Sequence, residues 1–191
     1  MAECTAGTVA CWITDQANIL KNIAATLEPI EKMLTGLAYV IGISFAFKAI
    51  YSLKVYGEAR TMMATNTSMK EPLVYLVVAA IFIYFPTALA VLLQTTFGED
   101  SVVQYAPINS PNGTLDLFSA GSPVGRPLTM IIQVIGLAAF IRGMILIARG
   151  SGSGQQPGST GKGLMHVFGG ILAINIIKTI EIINNTLYGT S

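Results

Sequence analysis

Three polar side chains, Gln133, His166 and Asn175, stand inside segments that are otherwise apolar. Hydrocarbon offers no hydrogen bonds, so such groups must face a bundle interior, a partner or a water-filled path. His166 could relay protons, because imidazole titrates near neutrality. No Asp or Glu stands inside a predicted crossing to pair with it, which favours a histidine held for structure. The same lack removes the carboxylate dyad of an intramembrane protease, and no serine motif is placed with His166. An enzyme is not expected. Cys4 and Cys11 could close a small disulfide if the N-terminal tail lies in an oxidising compartment; two unpaired thiols are the alternative. Two cysteines and one histidine on separate segments supply no metal site.

One stretch imitates a phosphate-binding loop. Residues 151–163 read SGSGQQPGSTGKG, but the GxxxxGK[ST] spacing needs glycine at 156 and a hydroxyl residue at 163, where the chain has Gln156 and Gly163. No strand precedes it, so a flexible linker is the better reading and no cofactor is expected.

The elements that must position these residues are membrane helices. Residues 72–98 run for 27 positions without a charged side chain, more than the ~20 residues that cross a hydrocarbon core. Hydrophobic residues make up 52% of the chain and charged ones 11%, as expected where lipid replaces water. A net charge of +1, with the cations scattered, argues against nucleic acid as a direct partner. Weaker apolar segments at 33–53, 127–148 and 163–177 complete four crossings. Lys48 and Arg142 interrupt two of them. Each lies about 10 Å along its helix from a following basic residue, Lys54 or Arg149, and can snorkel to the headgroups. Pro86 predicts a kink, not a break, in the second crossing. Ala38, Gly42 and Ala46, and then Ala139 and Gly143, recur at every fourth position. They give smooth faces for close helix packing, within the chain or against another copy or partner.

Two patterns organise the whole. Offset by 94 positions, Leu34-Thr35 matches Leu128-Thr129, Val40-Ile41-Gly42 matches Val134-Ile135-Gly136, and Lys48 matches Arg142, through duplication or through shared membrane composition. Seven of the eleven Lys and Arg residues fall on the two hairpin loops or just before them, which predicts cytoplasmic loops and both termini outside. Residues 1–15 lack a basic start and an apolar core, so the tail is expected to cross with the first helix. Trp12, Ile13, Ile19, Leu20, Ile23, Leu27, Ile30 and Leu34 recur at spacings of three and four, which predicts a separate amphipathic helix. It would pack on its own bundle or lie in the outer interface. The expected fold is an all-α membrane protein with about four transmembrane helices in two hairpins. Its divisions are a tail with the amphipathic helix (1–32), a first hairpin (33–98), a turn-rich outer loop (99–126) and a second hairpin with a short tail (127–191).

The segment GISFAFKAIYSLKVYGEAR at 42–60, the charge-free second crossing with Pro86 and the length with four crossings carry a resemblance. The chain resembles the IcmC/DotE-like small inner-membrane proteins of the Dot/Icm type IVB secretion apparatus, whose IcmD/DotP and DotV relatives share the general character. The resemblance implies a bacterial inner membrane and a structural role, as scaffold or channel wall, in exporting effector proteins or conjugating DNA. Its implied partners are other inner-membrane subunits of the apparatus, with self-association a further arrangement. It supplies no catalytic residues. The rival expectation is a self-contained transporter or channel lined by Gln133, His166 and Asn175.

Overall fold

The computed structural model describes residues 9–62, 68–98, 124–152 and 158–189, and among them there are helices and turns but no strand. The helices are α1 (Val9–Thr61), α2 (Lys70–Ile83), α3 (Phe85–Phe97), α4 (Gly125–Gly150), α5 (Ser159–Ile174) and α6 (Ile176–Tyr188). Two stretches, Ala17–Thr61 and Gly125–Gly150, are each long and apolar enough to cross a membrane. The pairs α2–α3 and α5–α6 qualify only as joined spans, bent by 95° and 90°, so the described residues hold two to four candidate crossings by length and composition.

The expected amphipathic helix is not a separate element. Its residues belong to α1, which runs 53 positions, about 80 Å, with Pro29 inside it. Pro29 is exposed, and the apolar periodicity of residues 19–34 runs on into the crossing, so nothing in the side-chain pattern stops the helix there. The tail with Cys4, and the side chains of Cys11 and Trp12, lie outside the described residues, as does most of the outer loop.

The second crossing breaks instead of kinking. The helix stops at Tyr84 (φ −100°, ψ 34°) and restarts with Pro86 in its first turn. Proline has no N–H to donate back, and its ring presses on the carbonyl four residues earlier, here Phe82, so the break falls just upstream. The fourth crossing, expected to be continuous, breaks in the same way at Asn175 (φ −114°, ψ 58°). There the Thr179 hydroxyl lies 2.9 Å from the carbonyl of Leu172 and 3.0 Å from that of Asn175. It reaches back across the break to the Leu172 carbonyl, which the interrupted ladder leaves without its usual partner, whereas the Asn175 carbonyl also accepts the Thr179 N–H at 3.0 Å. The linker is shorter than expected, because α5 begins at Ser159. Gly158 turns the chain into it at φ +98°, a backbone conformation open to glycine.

Helices α1 and α4 lie parallel. One cleft between them pairs residues 27–35 with 126–134, and a second pairs 34–41 with 138–149. Helix α2 returns antiparallel along α1, and α5 along α4. Charges gather at two levels. Glu28, Glu31, Lys32 and Arg126 line the first cleft. At the other end Lys48 lies over Tyr75, and Tyr75 and Glu71 both approach Gly152. From Lys32 to Lys48 is about 24 Å of helix, and from Arg126 to Arg149 about 35 Å, bracketing the ~30 Å of a hydrocarbon core. Arg142 is the one charge of α4 between those levels.

Candidate functional site

The arrangement that the sequence builds most deliberately is a pair of helix seams. Among the small residues expected to pack, Gly42, Ala38 and Gly143 are buried, whereas Ala46 and Ala139 are only half-buried. The seam of α4 and α5 instead uses every seventh residue: Gly136 faces Gly170, Gly143 faces Gly163, and Gly150 abuts Thr160 at the start of α5. A methyl group on Gly143 would lie 2.7 Å from the Val167 nitrogen and 2.8 Å from the Gly163 oxygen. One on Gly170 would lie 2.8 Å from both the Gly136 oxygen and the Phe140 nitrogen. These are backbone atoms, so the helices meet main chain to main chain. A seven-residue repeat is the contact period of helices wound left-handedly about each other.

The α1–α2 seam has the same plan with more side chain in it. A methyl group on Gly42 would meet the Phe82 Cβ at 2.8 Å and the Ile83 nitrogen at 3.0 Å. Ala49, seven residues on, is fully buried. Beside them the Phe45 ring stacks on Tyr75 (5.8 Å) and Phe82 (6.3 Å), Phe82 on Phe85 (6.2 Å), and Phe85 tilts against Phe140 of α4 (6.0 Å). These rings tie the first hairpin to the second. Gly42 and Gly136, 94 positions apart in the repeated Val-Ile-Gly, hold equivalent places: each abuts the two residues just before a helix break, Phe82-Ile83 ahead of Tyr84 and Ala173-Ile174 ahead of Asn175.

The cations are placed differently from one another. Lys48 puts its ammonium 4.4 Å from the centre of the buried Tyr75 ring, a cation–π contact between α1 and α2. Its match, Arg142, lies with Arg149 along the second cleft between α1 and α4.

The three polar residues expected within the crossings stand at separate places in the fold. Gln133 is half-buried in the first cleft. Asn175 forms the α5–α6 break, at about the same level of the α4–α5 pair, since Gly136 meets Ala173 and Ile174. His166 stands nine residues away, about 13 Å along α5, on its exposed face. Its Nδ1 is 2.8 Å from the Lys162 carbonyl, which satisfies that nitrogen when it carries the proton and leaves Nε2 pointing away from its own helix. Among the described residues no group of three His, Cys, Asp or Glu side chains converges as a metal site would require. Comparison with protein-family models, with curated proteins and with solved structures finds no match to this chain.

Proposed function

We propose that the chain is a structural subunit of a larger inner-membrane assembly, and specifically a scaffold or channel-wall component of a type IVB, Dot/Icm-like secretion apparatus. The observation that carries the structural role is His166. It lies level with Gly143, between the two charged levels, yet on the exposed face of α5 with Met165 (75% exposed) and Phe168 (59% exposed). A polar ring at that depth facing lipid would leave one nitrogen unsatisfied, whereas a neighbouring subunit can satisfy it. The wide apolar face of α1, with Val40, Phe47 and Ile50 all exposed, offers lipid or partner a second surface. The choice of assembly rests on the sequence resemblance at 42–60 and the charge-free second segment with Pro86.

In this reading the loops joining α1 to α2 and α4 to α5 are cytoplasmic, which the cation distribution supports, and the first cleft lies at the periplasmic surface. Helix α6 leaves α5 at that surface with a 90° bend. It is the most amphipathic of the six helices, with Ile177 buried and Lys178 ion-paired to Glu181 at 3.1 Å. It rests in the interface and does not span. Purification in mild detergent tests the proposal. Co-elution with larger secretion components, lost on His166→Leu while the chain still folds, is the expected result. A lone oligomer that moves a solute across liposomes would overturn it in favour of a transporter.

A further inference from the structure

We propose that the second cleft between α1 and α4 binds an anionic phospholipid, with one acyl chain along its apolar floor and the phosphate held by Arg142 and Arg149. The groove encloses about 380 Å³. Leu37 and Ile41 of α1 and Ile141 and Ile145 of α4 floor it, and no carboxylate lines it. It runs from Ala138 to Arg149, eleven residues or about 16 Å of helix, close to the depth of one leaflet of a ~30 Å core. An acyl chain therefore fits it lengthwise, with its headgroup at the basic end.

The two arginines make the preference one of charge. Seven residues apart, they lie two turns from each other on the same side of α4. Both are exposed and free to extend toward the interface. Guanidinium groups match phosphate oxygens bidentately. Arg142 is the charge placed deepest among apolar neighbours, where a bare cation is costly and a counter-ion is needed. A phosphate at the level of Arg149 supplies it to both side chains, as in basic pockets between membrane helices that select anionic headgroups. The glycine seam uses the opposite side of α4, so the groove stays open in the folded chain.

This inference requires α4 to cross the bilayer but not the secretion role, so its failure would leave the co-elution result untouched. The test is native mass spectrometry of the purified full chain in neutral detergent, titrated separately with phosphatidylglycerol, phosphatidylcholine and inorganic phosphate. Phosphatidylglycerol is expected to bind at least tenfold more tightly than phosphatidylcholine. The double variant Arg142→Gln/Arg149→Gln should lose roughly 30-fold in affinity. Leu37→Trp, which fills the groove and keeps the charges, should weaken binding as well, while Lys48→Gln, a cation outside the groove, should not. Equal binding of the two lipids, binding of inorganic phosphate as tight as that of lipid, or an equal loss on Lys48→Gln would each overturn the site.

Discussion

The two hairpins solve the same packing problem with different materials. The second brings α4 and α5 together through glycines, so that main chain touches main chain. The first places one glycine, Gly42, and fills the remaining space with Phe45, Tyr75, Phe82 and Phe85. A seam of rings can yield by shifting side chains, whereas a seam of backbones has nothing to shift. The second hairpin should accordingly be the less tolerant.

Gly143→Leu should have the largest effect. Even its first carbon would lie 2.7 Å from the Val167 nitrogen, so α4 and α5 must separate. A loss of about 4 kcal/mol or more is expected, read as collapse of the monodisperse peak and of the thermal transition in detergent. Gly170→Ala adds only a methyl group but still against backbone, and should cost about 2–3 kcal/mol. Gly42→Ala meets the Phe82 Cβ at 2.8 Å but backbone only at 3.0 Å and beyond, a little looser than the contacts of Gly170, so about 1–2 kcal/mol is expected. If Gly42→Ala proved as damaging as Gly170→Ala, the contrast between the seams would be wrong. Thr179→Val should lower stability by about 1 kcal/mol, because the hydroxyl that serves the Leu172 and Asn175 carbonyls is gone. The smallest change is expected from Lys48→Met, which removes the contact with Tyr75 and should cost about 0.5–1 kcal/mol.

The sequence made the helical class legible because long charge-free runs admit few other structures. It also marked the place of one break, through Pro86, although the bend proved far larger than a kink. The Asn175 break carried a fainter sign: asparagine competes for backbone hydrogen bonds, but Thr179, four residues on, is what makes the break tenable. Spacing at every fourth residue singled out Ala139, which is half-buried, and passed over Gly136, Gly163 and Gly170. The seven-residue recurrence of glycine was written in the chain, but only the antiparallel partner shows that the two sets face each other. The continuity of α1 was hidden in another way. The charges among residues 21–32 set the amphipathic stretch apart from the charge-free run that follows, yet the apolar periodicity continues across that point and the helix runs on, with Pro29 on an exposed face.

The most direct test is cysteine labelling of intact and permeabilised cells, with Cys4 and Cys11 replaced by serine and a membrane-impermeant maleimide as reagent. Ser159→Cys, at the start of α5, should react only after permeabilisation, and Thr186→Cys, on α6, should react in intact cells. Reaction of Ser159→Cys in intact cells, or of both sites from one side alone, would contradict a bilayer lying between the two charged levels.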